Sequence, residues 1–186
     1  MDVAELCGGV FAGRMEKTVQ AVAGGTVFKR RGGDGMDKVI EKIKEGYASD
    51  HSWLVKQNLC EISVRGGSFL DATAISFSVH EPQDVGDPRH PAGARLFSLG
   101  KEAVANTRSA GLCFECVSPQ IEGSGRIPVR VRGGLGKAKD RGDAVEDLVA
   151  NQSVLHSASL AVAKRLGCTN NGGLPEKLDP DPQPTA

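Results

Sequence analysis

The sequence predicts a mainly β protein: an antiparallel β-sandwich, jelly-roll-like, with flanking helices and a disordered C-terminal tail. Three observations predict it. Residues 60–134 hold short strand-like runs with no helical pattern between them, and strands in an uninterrupted series pair antiparallel. Within the runs, apolar and polar residues alternate. Ile75, Phe77 and Val79 share one side, and Ser76, Ser78 and His80 the other. Period-two alternation marks a sheet with one buried face and one wet face. The turns between the runs carry the expected residues, among them Gly66-Gly67 and Glu122-Gly123-Ser124-Gly125.

Residues 1–36 read as an N-terminal extension, mildly apolar and broken by glycines. It holds a short helix over 15–23 and a short strand over 25–28. Lys29-Arg30-Arg31 and the glycines after it read as a charged, flexible link. The domain proper spans 37–168. It opens on a helix over 37–47, where Val39, Ile40 and Ile43 share a side; Asp37 is the expected cap and Gly46 the expected stop. Trp53, Leu54 and Val55 extend this helix or lead into the first core strand. Strands follow over 60–65, 74–80, 95–99, 111–117 and 127–134. Pro128 belongs at an edge or a first-residue position. A second helical stretch runs over 144–166, with a break expected near Asn151 and Gly167 as its C-cap. From 169 to 186, Asn170-Asn171-Gly172-Gly173 and the proline-rich end read as a tail that buries nothing.

Composition narrows the function. A chain of 186 residues is one domain with room for a tail. Aromatics make up only 4%, so the core is lean, which suggests a marginal domain or one that gains stability by assembling. Net charge is zero, so any attraction to nucleic acid or membrane must come from local patches. The five cysteines, Cys7, Cys60, Cys113, Cys116 and Cys168, are odd in number and follow no regular framework. That pattern points to a reducing compartment. No secretory leader and no run of about 20 apolar residues is present, so the expectation is a soluble protein of the cytosol or nucleus.

One patch stands out. Arg126, Arg130, Arg132, Lys137, Lys139 and Arg141 face a single acid, Asp140, within 126–141. Arg130 and Arg132 share one side of their strand. Gly133, Gly134 and Gly136 let a backbone come close to a phosphate chain, and the cations neutralise it. Lys29, Arg30 and Arg31 form a second patch. The plain alternative is a solvated sheet edge whose charges oppose aggregation. No aromatics are interleaved with the arginines, so phosphates rather than stacked bases are the expected contact.

Other motifs carry less. Cys113-Phe114-Glu115-Cys116 is a lone CxxC. A structural zinc site needs four ligands, and on a strand these two cysteines face opposite sides, so small core residues are expected and no metal. Gly133-Gly134-Leu135-Gly136-Lys137 lacks the earlier glycine and the following Ser or Thr of a phosphate loop. His51, His80, His90 and His156 have no partner at a diagnostic spacing. No catalytic set and no cofactor is expected, and the chain is not read as an enzyme.

A resemblance adds to this. The order is a strand at 60–65, the Gly66-Gly67 turn and a strand at 74–80 ending at the corner Glu81-Pro82-Gln83-Asp84. A loop to Gly93 follows, then a short apolar strand with the step Leu99-Gly100, then strands at 112–118 and 127–134. This order resembles the core of the plant-virus movement proteins of the 30K superfamily, most of all the short ones of tombusviruses and dianthoviruses. The family's characteristic aspartate is replaced here by His80-Glu81. The resemblance implies a single-stranded RNA-binding protein without catalytic residues or cofactor. It implies a homo-oligomer on peripheral host membrane, in the host cytoplasm, at the cell periphery and at plasmodesmata, with host factors as further partners and transport of a viral genome between cells as its role. Two other readings stand beside it: a jelly-roll capsid or other assembly subunit, and a small β-sandwich enzyme or ligand-binding protein using His80, Glu81 and His90.

Overall fold

A computed structural model of the chain describes residues 1–11, 13, 15–30, 32–49, 56–68, 71–80, 93–138, 145–179, 181, 183 and 184, without the Arg30 side chain. The expected β class is present. The strands are β1 (Phe28–Arg30), β2 (Gln57–Val64), β3 (Thr73–Val79), β4 (Arg95–Leu96), β5 (Glu102–Ala105), β6 (Ser109–Cys116), β7 (Val129–Lys137) and β8 (Gln183–Pro184). The helices are α1 (Glu16–Ala23), α2 (Gly35–Ala48) and α3 (Val145–Leu166). All described strand pairs are antiparallel, in the order β1-β2-β3-β7-β6-β5-β4-β8. Strands β4 to β7 form a meander, and the chain reaches β4 from β3 by a long connection that brings β7 back beside β3. This is the return of a Greek key with one extra strand, the feature that gives the fold its jelly-roll character.

The eight strands make one sheet, and the layer across its apolar face is helical. α3 explains why. Leu148, Leu155, Val162 and Leu166 recur at helical spacing and are buried. This stripe lies on the face that carries Phe77, Val131 and Leu135. A β-carbon on Gly133 would come within 3.1 Å of Leu155 and 3.0 Å of Ser159 Oγ, so the missing side chain is what lets helix and sheet approach. α2 covers the same face through Val39, Ile40 and Ile43, and its Gly46 sits against Val79. α1 packs on α3 in that layer. Glu146 and Asp147 at the start of α3, and Lys164 and Arg165 at its end, complement its dipole. The helix runs unbroken through Asn151, whose buried side chain donates to the Asn106 carbonyl at 2.9 Å.

Several boundaries differ from expectation for physical reasons. Residues 1–36 are not an extension: Val3, Leu6, Phe11, Val19, Val22 and Phe28 belong to the single core. Lys29 and Arg30 lie in β1 rather than in a link. α2 starts at Gly35 after Asp34, not at Asp37, and Gly46 is a packing position inside it. β7 starts at Val129 and runs on to Lys137, past the expected end at Gly134, so Gly136 too is a strand residue in mid-sheet. Packing also continues past 169: Leu174 is buried, and the Pro175 carbonyl lies 2.8 Å from His156 Nε2. Beyond Asp179 only residues 181, 183 and 184 are described. Trp53, Leu54 and Val55 lie outside the described residues.

The cysteine reading is corrected. Four of the five cysteines pair, as Cys7–Cys60 and Cys116–Cys168, with Cα–Cα distances of 5.3 and 5.0 Å. Residues 53 and 52 positions apart carry no local spacing signal; the fold brings them together. Cys113 is buried and unpaired. Cys113 and Cys116 do face opposite sides of β6, as their spacing on a strand requires.

Candidate binding face

The three described helices lie on one side of the sheet, which makes the other side the candidate surface, although Ser76 and Cys113 on it are buried. β7 runs along its middle and alternates cleanly. Val129, Val131, Gly133 and Leu135 are buried, while Arg130, Arg132, Gly134 and Gly136 are half-buried or exposed. The register sets rows of same-face neighbours across β3, β7 and β6. Ala74, Gly136 and Ser109 form one row, and Ser76, Gly134 and Gly111 the next. Ser78, Arg132 and Cys113 form the third, and Arg130 faces Glu115 in the fourth. Side chains within a row are about 5 Å apart. The result is a strip of very small residues that ends at two arginines.

The arginines differ. Arg130 Nε donates to Glu115 Oε1 at 3.1 Å, and Lys101 Nζ lies 3.0 Å from Glu115 Oε2. Burial alone would raise the Glu115 carboxyl; Lys101 and Arg130 together outweigh it and hold the group below the ordinary carboxylate range. One carboxylate thus takes up much of two cations. Arg132 is exposed and has no ion pair among the described residues. Beside it the Cys113 thiol is pushed up, first by burial and then by Glu102. A thiol kept protonated is a poor nucleophile.

The other expected contacts scatter. Lys137 pairs in register with Thr73 on the buried face, at the end of β7. Arg126 is exposed in the turn before β7, near the end of α2, where Tyr47 Oη donates to the Ile127 carbonyl at 2.6 Å. Lys29 pairs with Ser63 on β2, at the far edge of the sheet. Arg31, Lys139 and Arg141 lie outside the described residues, as does the Arg30 side chain. So do His51 and two of the three residues the enzyme reading uses, Glu81 and His90. The third, His80, follows β3, half-buried, and its backbone N–H donates to the Arg130 carbonyl at 2.9 Å. Among the described residues, no group of three His, Cys, Asp or Glu side chains could hold a metal ion. None of the described helices is long and apolar enough to cross a membrane.

Sequence reasoning missed Glu115, Lys101 and Glu102. Glu115 alternates with the buried Phe114 and Cys116, so its wet side was readable. That it would stand opposite Arg130 was not, because register is set by pairing rather than by either strand alone. The chain matches no known protein family, no curated protein and no solved structure.

Proposed function

We propose that this protein binds single-stranded nucleic acid through its phosphates, on the helix-free face of the sheet, with Arg132 as principal anchor. The observation that carries the reading is the exposed Arg132 at the end of a strip of small residues, the half-buried Ala74, Gly111 and Gly134 and the exposed Gly136. Small residues let a sugar–phosphate chain lie close to the sheet, and a guanidinium grips phosphate in two-point fashion. Arg130 contributes less, since Glu115 already engages it. Lys139 and Arg141 follow β7 in sequence and remain candidates. Single-stranded RNA is the probe because the resemblance to movement proteins implies it. Transport of a viral genome, host membrane and plasmodesmata rest on that resemblance alone. Edge-to-edge assembly is not favoured: the outer strands β1 and β8 are three and two residues long, and short edges oppose such pairing.

The two disulfides favour a second reading. Disulfides persist in oxidising surroundings, where the same face would hold an anionic polysaccharide rather than RNA. The experiment is binding of the purified protein to single-stranded RNA, duplex RNA and a sulfated polysaccharide across a salt series. Preferential, steeply salt-dependent binding of the single strand supports the first reading. Equal or stronger binding of the polysaccharide replaces it with the second. Absence of binding to all three at low salt removes both.

A further inference from the structure

The two disulfides sit in different surroundings. Cys116 is fully buried and Cys168 is 8% exposed, in the turn that follows α3. Cys7 is half-buried, and exposed glycines at 8 and 9 follow it. Together with Cys60 it lines a cleft of about 430 Å3, whose walls include Glu5, Gly33, Met36 and Glu61. The backbone at Cys7 is left-handed, with φ +53° and ψ 32°, a conformation that costs a non-glycine residue energy. Cys60 is aimed by a β-bulge: register shifts between Asn58 and Cys60, so Leu59 and Cys60 are both buried. Bulges re-aim side chains and are enriched beside functional sites. Gly33 packs on the bulge so closely that a β-carbon there would lie 2.7 Å from the Cys60 Cα.

We infer that Cys7–Cys60 is a thiol–disulfide exchange site for a dithiol reductant, and that it releases the N-terminal segment. A thiolate of the dithiol enters the cleft and attacks Cys7 Sγ. The Cys7–Cys60 bond breaks, its electron pair leaves on Cys60 Sγ, and a mixed disulfide joins Cys7 to the reductant. The second thiolate of the dithiol then attacks its own bonded sulfur, closes an internal disulfide and expels Cys7 as thiolate. In sum, two electrons and two protons pass from the dithiol to the protein. Exposed, strained disulfides are the exchangeable ones, and buried ones resist.

The consequence is local. The bridge spans 53 positions and encloses α1, β1 and α2. Without it, residues 1–11 are held to the core only by non-covalent contacts, chiefly Val3, Leu6 and Phe11. The Cys116–Cys168 bridge stays closed and keeps α3 on the sheet.

The test uses the full chain in native buffer. It is exposed to reduced dithiothreitol for increasing times, quenched, alkylated and mapped by peptide mass spectrometry. Cys7 and Cys60 should be alkylated at least about tenfold faster than Cys116 and Cys168, as accessibility controls exchange. The buried Cys113 serves as an internal reporter of global opening and should stay unlabelled. Hydrogen exchange in residues 3–11 should rise on reduction while β3, β6 and β7 remain protected. Labelling of all five cysteines together, earlier labelling of Cys116 and Cys168, or no reduction of Cys7–Cys60 before Cys113 reacts would each overturn the inference.

Discussion

Arg130 and Glu115 are cross-strand partners: the guanidinium on β7 donates to the carboxylate on β6 at 3.1 Å, and Lys101 holds the other oxygen at 3.0 Å. A run of cations that is continuous in sequence is therefore partly neutralised in space. Arg132, one row away, keeps its charge open to solvent. The two arginines look equivalent on the strand and are expected to behave differently toward a polyanion.

Arg132→Ala should weaken single-stranded RNA binding and reduce the log–log salt slope by about 0.7, the effect of one lost phosphate contact. Arg130→Ala should do less. Glu115→Gln should strengthen binding and steepen the slope, because it removes the negative charge that faces Arg130 and Lys101. Fluorescence anisotropy across a salt series reads all three. Equal losses for the two arginine variants, with no gain for Glu115→Gln, would remove Arg132 as principal anchor.

Gly133→Ala should destabilise the fold by about 1–3 kcal/mol through overpacking. The added carbon would lie 2.9 Å from the Phe77 ring and 3.0 Å from Ser159 Oγ. Gly136→Ala meets nothing within 4 Å and should fold normally. Urea unfolding of the pair decides whether the β7 glycines serve one purpose or two. On the present geometry, Gly133 serves helix packing and Gly136 keeps the open face flat.

Replacing Cys116 and Cys168 together by serine should cost about 2–5 kcal/mol, the usual effect of removing a native disulfide from a small domain. The bridge joins the end of β6 to the turn after α3, where Ser118 Oγ also donates to the Leu166 carbonyl at 2.5 Å. Chemical denaturation under non-reducing conditions checks it. A midpoint unchanged from the native protein would show that the α3 terminus is held by packing and hydrogen bonds alone.

Stability should fall on mild acidification because of His156. Burial pushes this imidazole below its ordinary value of 6.5, against the opposing bond to the Pro175 carbonyl and the charge of Glu176. The unfolded chain therefore takes up a proton first. The stabilising contribution is full above pH 6.5 and is lost as pH falls from there through the lower folded value. Unfolding midpoints compared at pH 7.5 and 5 should differ more for the native protein than for His156→Gln. An identical pH dependence in the two would assign the acid sensitivity elsewhere.

Much of the fold was legible because it depends on local periodicity. The alternation of Ile75, Phe77 and Val79 gave β3 its faces. Val129, Val131, Arg130 and Arg132 did the same for β7, and the stripe from Leu148 to Leu166 gave α3. β5 gave no signal because Glu102-Ala103-Val104-Ala105 is four residues long and, apart from Val104, built from weak strand formers. The tail was misjudged at Leu174 because one apolar residue among glycines and prolines shows no period, yet it finds the core.

By itself, then, the sequence determined the mainly β class, the antiparallel pairing, the helix after β7 and the side of β7 on which Arg130 and Arg132 stand. These follow from side-chain spacing along single elements. Tertiary structure decided the rest. It placed the helices on the face opposite the arginines, set Glu115 against Arg130, and joined Cys7 to Cys60 and Cys116 to Cys168. Each of these depends on strand register or on contact between residues far apart in the chain, and such relations are properties of the packed whole rather than of any one segment.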